Sequence, residues 1–382
     1  MAKAADAVII GGGIIGLSTA YQLARLKYGK IVVLERDMFL GTGATGKCAG
    51  GVRAQFTTRV NIEMSMKSEA MLAGFQEDTG YPLVFDQVGY MFLLADEKEV
   101  AQFTEAFNLQ RSLGLEVTMI DPPEINRLAP PVRTDDIIQA TFCKSDGIAD
   151  PNDMIQGYAA SARKLGVEII NEAEVTGLKI EGGKIRGVDS SAGDFETALV
   201  INAAGPWARL IGEMAGIKLP IEPIKRQIVT TGKLDYIDAT FPMVVDVKSG
   251  LYCHKESPGL LLGWADKEIK PAFDESVDPD YTDRILMKAL DRIPRLETAE
   301  ISKSWAGLYE TTPDHHAIIG PVNDIEGFFI VAGFSGHGLM HAPAAGLVAA
   351  EAISGKETSV DIIPLAPNRF ARGAVNEETN VI

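Results

Sequence analysis

The sequence is poor in cysteine, in histidine and in basic charge. Its three cysteines, Cys48, Cys143 and Cys253, are odd in number and far apart, and no C-x-x-C pair occurs. This leaves neither an iron–sulfur ligand set nor a structural zinc site, and it fits a reducing, cytoplasmic setting. The five histidines carry no metal-ligand spacing either. Lys and Arg number 36 against 52 Asp and Glu, a formal net charge of −16. A general nucleic-acid binder needs a basic face, and an anionic lipid surface would repel this chain. No apolar run is long and uncharged enough to span a bilayer. The N-terminus has no basic segment followed by a cleavable apolar one, so no signal peptide is expected. Internal repeats and low-complexity linkers are also missing.

What is present is a globular composition, 46% hydrophobic and 23% charged. At 382 residues the chain exceeds one typical core, and two domains are expected. The most informative stretch runs V-I-I-G-G-G-I-I-G from Val8 to Gly16, followed by Val32-Val33-Leu34-Glu35. Val8–Ile10 reads as a buried strand. Gly11, Gly13 and Gly16 have the G-x-G-x-x-G spacing. Gly11 suits the tight turn, Gly13 lets backbone approach a pyrophosphate, and Gly16 lets the next helix pack on the sheet. That helix is expected from Ile14, with Ile15 behind it, to about Lys27, its N–H groups aimed at phosphate. A second strand ends at Glu35, 19 residues after Gly16, where a carboxylate can accept bonds from ribose hydroxyls. Arg36 and, further on, Val175 are expected beside the same nucleotide.

The fingerprint alone leaves NAD and FAD open. Three later stretches favour FAD, whose long ring system must be lined by residues distant in sequence. The first, Gly41 to Gly51, contains Thr42, Gly43, Thr45, Lys47, Cys48, Ala49 and Gly50, small residues that let backbone approach a flat ring. The second, Asn202-Ala203-Ala204-Gly205-Pro206-Trp207, leaves the carboxyl end of a strand, where nucleotide sites lie. The third, Gly333-Phe334-Ser335-Gly336-His337-Gly338-Leu339-Met340, joins a strand to a helix expected from about Ala342. Such a loop can aim N–H groups and a helix dipole at a reduced flavin.

The fold class expected is α/β, α+β overall: a Rossmann-like FAD-binding domain of residues 1–80, 145–215 and 315–382. A substrate domain with an antiparallel sheet, residues 81–144 and 216–314, is inserted into it twice. Within these, strands are expected at 88–94, 168–170, 173–180, 184–190, 198–204, 227–231, 250–254, 259–264 and 328–332. Helices are expected near 97–113, from about 150 to 165, and near 280–293.

On the N-terminal fingerprint, V-I-N-A-A-G-P-W, Gly307-Leu308-Tyr309-Glu310-Thr311-Thr312-Pro313-Asp314 and A-G-F-S-G-H-G, the chain resembles the D-amino-acid oxidase and sarcosine oxidase family. The likeness spans nearly the whole chain and is strongest to the β-type subunits of sarcosine oxidase and L-proline dehydrogenase. It implies oxidation of a C–N bond in a small amine or amino acid, with hydride passing to flavin N5. Lys47 stands where some relatives carry a flavin-linked histidine and Gly307 where others carry a flavin-linked cysteine, so non-covalent FAD is expected. Pro151 stands near a flavin-linked histidine of heterotetrameric relatives, so no covalent FMN is expected. Leu261 falls near the oxygen-activating lysine of the monomeric type, and Met340 replaces a lysine that holds substrate carboxylate there. The first change points away from a fast oxidase, and the second leaves the substrate open and places weight on Arg53.

Arg53 is the first choice to grip a substrate carboxylate, since a guanidinium does so bidentately. Tyr252 and His337 are the other candidate catalytic residues. Tyr252 and His254 share one strand face, so both line the pocket or both face the core. Lys47 could stabilise reduced flavin by its charge. The reading that follows is a dehydrogenase or oxidase of a secondary amino acid such as sarcosine or proline. The alternatives are a deaminating oxidase of primary amino acids, a flavin electron-transfer subunit with an electron-accepting partner, and a nicotinamide dehydrogenase.

Overall fold

The structure is a computed structural model that describes residues 2–373 and 376–381. One sheet runs, edge to edge, Glu168–Ile170, Ile31–Leu34, Ala7–Ile10, Val200–Asn202, Phe328–Ala332 and Ile318–Pro321. The first five are parallel neighbours, and the last pairs antiparallel at the edge. Ala7–Ile10 is buried throughout, as a central parallel strand covered on both faces must be. Alternation sorts its residues. Ala7 and Ile9 join Ile31 and Val33 in a core with the helices Ile14–Arg25, Pro151–Lys164 and Gly338–Ile353. Val8 and Ile10 join Val32 and Leu34 in a second core, under the small sheet that contains Val175–Glu181 and Lys184–Ser190. From Ala7–Ile10 the sheet grows in both directions. The carboxyl end of that strand is therefore a switch point, where a cleft opens.

A second, eight-stranded sheet takes strands from two separate parts of the chain. Its order is Ile301–Thr311, Glu222–Thr231, Gly259–Trp264, Leu251–Glu256, Met243–Asp246, Tyr90–Leu94, Gln139–Cys143 and Val117–Ile120. All neighbours are antiparallel except Met243–Asp246 with Tyr90–Leu94. One face packs Met91, Val244, Cys253 and Leu262 against the helix Pro279–Arg292. The other carries Tyr90, Ile228, Met243 and Tyr252.

Three expectations about elements are corrected. The last long helix begins at Gly338, not near Ala342, and runs through Pro343. Proline gives up one helical hydrogen bond, but Ala342, Ala344, Ala345 and Val348 are fully buried in the first core, which holds the turn in place. Gly346 has no room for a Cβ beside Ser18, so this helix and Ile14–Arg25 lie in close contact. The strand expected over 198–204 is only Val200–Asn202, because Gly205 has φ +53° and turns the chain into the short helix Gly205–Trp207. The long strand Ile301–Thr311 was not anticipated. Its first residues, Ile301 to Lys303, are exposed and show no buried alternation, and pairing with Glu222–Thr231 holds it.

Candidate active site

The cleft between the two large sheets begins at the glycine turn. Gly11 has φ +112°, and a Cβ there would run into the Ala203 carbonyl. A Cβ on Gly16 would strike the Gly11 carbonyl oxygen. Beside Gly13 the nearest atom to a Cβ would be Thr45 Oγ1 at 3.4 Å, so this backbone is open to a ligand. Gly12 N–H donates to Glu35 Oε2 (2.7 Å) and Asp37 N–H to Oε1 (2.9 Å). Burial still raises the Glu35 pKa, against the lowering effect of these two bonds. Thr45 Oγ1 accepts from the Ile14 N–H (3.2 Å). The Arg36 guanidinium lies 3.7 Å from the centre of the Trp207 ring, and Val175 lines the same end.

Further in, Lys47–Gly50, Gly307 and the loop Gly336–Met340 line the cleft together. Trp305 Nε1–H fixes the first stretch by donating to the Lys47 carbonyl oxygen (3.0 Å). A Cβ on Gly307 would lie 2.8 Å from Lys47 Cβ, so these two backbones meet only because the residue is glycine. Burial pushes the Cys48 thiol up to about 11, which keeps it neutral and unreactive.

The far end concentrates ionisable groups. Arg53 is 1% exposed. Its Nη1 donates to the Gln55 carbonyl and its Nη2 to the Asn380 carbonyl, both at 2.6 Å. Its Nε is buried with no partner, and no carboxylate among the described residues lies within ion-pair distance. Phe56 stacks on the guanidinium at 3.9 Å. Tyr90, Tyr252, Tyr309 and Arg226 complete the wall, and burial pushes all three phenol pKa values up, so they are hydrogen-bond donors. His337 is buried with Nε2 unpartnered. Burial, and then the Arg53 charge, hold its pKa well below the usual range, so the ring is neutral. Glu310 accepts the Gly333 N–H (2.8 Å), and burial raises its pKa to about 7.

The structure thus gathers most of the sequence-predicted site residues in one cleft and leaves a few outside it. Thr42 turns away, and its Oγ1 donates to Asp37 Oδ2 (2.9 Å). Gly16, Gly333 and Ser335 shape the backbone behind the wall, with Ser335 Oγ accepting the Thr312 N–H at 3.1 Å. Lys47 lines the cleft, but its Nζ pairs with Glu275 at 2.7 Å, so its charge is already balanced. His254 parts from Tyr252: it is fully buried, its Nδ1 hydrogen-bonds to the Lys255 carbonyl (2.7 Å), and it does not line this cleft.

Sequence reasoning missed Tyr90, Arg226, Tyr309 and Glu310. Only the G-L-Y-E run and the strand register could have pointed to the last two. It also missed the segment 376–381. Glu378 there is fully buried. It accepts the N–H groups of Thr57 and Thr58, both threonine hydroxyls and the Asn61 amide. This sits at the start of the helix Arg59–Ala73, next to Arg53.

An elongated cleft with a glycine-cradled nucleotide end, a middle lined by the small residues Cys48–Gly50 and the Gly336–Met340 loop, and unpartnered Arg53 Nε and His337 Nε2 at its far end fits a flavin dinucleotide. Fold and cleft together define a flavin-dependent oxidoreductase. The sequence profile of the family described as FAD dependent oxidoreductase (DAO) matches residues 6–352, and the chain belongs to that family. FAD-dependent oxidoreductase domain-containing protein 1 of Xenopus laevis is 31% identical over 396 residues, 91% of this chain and 79% of its own. Mitochondrial dimethylglycine dehydrogenase of Rattus norvegicus is 29% identical over 395 residues, 98% of this chain but 46% of its own, so the chain spans about half of that relative. Among solved structures, L-proline dehydrogenase from P. horikoshii superposes with a TM-score of 0.93 at 34% identity, covering 98% of this chain and all of that one. No helix among the described residues is long and apolar enough to cross a membrane.

Proposed function

We propose that the protein oxidises the C–N bond of a small secondary amino acid, sarcosine- or proline-like, and passes the electrons to an acceptor other than oxygen. The observation that carries this is the buried Arg53 guanidinium, unpaired with any carboxylate among the described residues, facing a cleft shared with neutral His337 and three phenols. The glycine turn with Glu35, the Lys47–Gly50 stretch and the Gly336–Met340 loop would hold FAD without a covalent bond, since Gly307 and the ion-paired Lys47 offer no nucleophile. Bound FAD supplies the two-electron acceptor.

The rest falls to the chain's own side chains. Arg53 grips the substrate carboxylate through its free Nε edge. The phenols of Tyr252 and Tyr309 bound the pocket and exclude water. His337 Nε2, neutral and unpartnered, is free to hydrogen-bond the substrate amine, and because its depressed pKa makes it a poor base the amine binds as its free base with the lone pair available. Positioning does most of the work. The sheet with Ala7–Ile10 and its helices acts as the dinucleotide half, residues 1–80, 145–215 and 315–382. The eight-stranded sheet acts as the substrate half, residues 81–144 and 216–314. Leu261 is buried and apolar and Lys47 is tied to Glu275, so among the described residues no unpaired lysine lines the cleft to promote reaction with oxygen. The names of the dimethylglycine and L-proline dehydrogenase relatives support this chemistry.

The test is anaerobic flavin bleaching with sarcosine, L-proline, glycine, D-alanine and dimethylglycine, followed by reoxidation with oxygen or an artificial acceptor. Bleaching by secondary amines with slow oxygen turnover is expected. Ammonia and peroxide release from glycine or D-alanine would replace this reading with a deaminating oxidase.

A further inference from the structure

The cleft holds a second arginine that, among the described residues, has no carboxylate within ion-pair distance. Alternation along Glu222–Thr231 sends Arg226 and Ile228 into the cleft and Lys225 and Gln227 to the opposite side. Lys225 is neutralised there by Asp274 at 2.6 Å. Arg226 is not: among the described residues no carboxylate lies within ion-pair distance of it. Its guanidinium makes one hydrogen bond, from Nη1 to the neighbouring Lys225 carbonyl (3.1 Å), and its Nε is buried without a partner. The residue opposite in register is Gly307, which brings no side chain of its own, and the stem of Lys47, whose charge is paired with Glu275, lies over it. The Tyr309 ring lies 5.1 Å from the guanidinium. Tyr309, Arg226 and Arg53 line the same cleft, and both guanidinium charges act on the Tyr309 phenol.

Two unpaired guanidinia in one largely buried cavity are costly to desolvate, and an anion that reaches both offsets that cost. One monocarboxylate can satisfy Arg53 only. The glycine turn already supplies the N–H groups for a diphosphate, and Arg226 sits instead against the Tyr252 and Tyr309 side of the cleft.

We propose that Arg226 is a second anion-binding group and that the substrate is an N-alkylated amino acid with a second acidic group, held between Arg53 and Arg226. This rests on the reading of Arg53 as the carboxylate anchor, and it adds the charge of the substrate's other end.

The experiment uses the full chain loaded with FAD. Calorimetry measures binding of succinate and glutarate against butyrate, in wild type, Arg226→Gln and Arg226→Lys. At least one dicarboxylate is expected to bind about tenfold or more tighter than butyrate, the worth of a charged hydrogen-bonded pair. Arg226→Gln erases that advantage, and Arg226→Lys keeps part of it. In parallel, flavin reduction rates compare N-methyl-aspartate with N-methyl-asparagine and N-methyl-glutamate with N-methyl-glutamine. The acid-to-amide ratio should exceed one in wild type and collapse toward one in Arg226→Gln.

Equal binding of dicarboxylates and butyrate in wild type overturns the proposal. So does an advantage that survives Arg226→Gln, or loss of FAD from both variants, which would make Arg226 a cofactor group. Failure of every secondary amine to bleach the flavin, with the dicarboxylate advantage intact, refutes the amine chemistry and leaves the anion site standing.

Discussion

Replacing Glu378 by alanine should loosen the start of the helix Arg59–Ala73 and with it the setting of Arg53. The carboxylate is fully buried and takes bonds from two backbone N–H groups, two hydroxyls and one amide of the segment Thr57–Asn61, and from the N–H of Asn380. Hydrogen bonds to a charged group are each worth about 1.5–3 kcal/mol net, but they do not add. Thr57 and Thr379 are partly or fully exposed, so water can replace some of what is lost. Thr58 and Asn61 are buried and are left with unsatisfied donors. A net loss of about 3 kcal/mol is therefore expected, a fall in Tm of about 4 °C for a chain of this size. Glu378→Gln keeps one acceptor oxygen and should lose about half as much. Matched-rate calorimetric scans at pH 7 measure this directly. The Asn380 carbonyl that holds Arg53 Nη2 belongs to the same segment, so carboxylate affinity should weaken in the same order of variants. A Glu378→Ala protein within about 0.5 kcal/mol of wild type would refute the reasoning.

Arg53→Ala should retain FAD and lose about 10- to 100-fold in substrate affinity, read by anaerobic flavin titration; unchanged affinity removes Arg53 from the site. Gly16→Ala pushes a Cβ into the Gly11 carbonyl, so the purified protein should be colourless or insoluble, and a yellow, stable variant would count against the tight glycine turn. Glu310 has a raised pKa of about 7, so its neutral form suits the fold. The stability it contributes is fully present below about pH 4.5 and is lost as pH rises through 7, at about 1.4 kcal/mol per unit. Subtracting the pH–stability profile of Glu310→Gln from that of wild type should isolate this slope, and a flat difference would show that the carboxyl is not strained by burial.

The nucleotide end was readable because its requirements are local. Three glycines, an apolar strand on each side and a terminal acid can be met by one short stretch, and Gly11, Gly13 and Glu35 stand in the cleft as spacing implied. The far end was not local. Arg226 and Tyr309 face the cleft only because two strands pair in a particular register, and a shift of one residue would turn both away. Lys47 was read as a free charge because its partner, Glu275, lies more than two hundred residues on. His254 matched Tyr252 in facing, but packing closed around it before it reached the cleft. Glu378 lies in a polar segment without periodicity, and nothing in its neighbours announces that it will be buried.

The sheet under the nucleotide end also sets a timetable. Val200–Asn202 is bordered by Ala7–Ile10 on one side and by Phe328–Ala332 on the other. At about 5–20 residues per second, a ribosome emits the last of these roughly 15–60 s after the first. Through that interval an apolar β-edge stays uncovered, and nascent chains crowded on one messenger could pair through it. A chaperone holding that edge should therefore raise the soluble yield, and slower elongation, which lengthens the interval, should lower it.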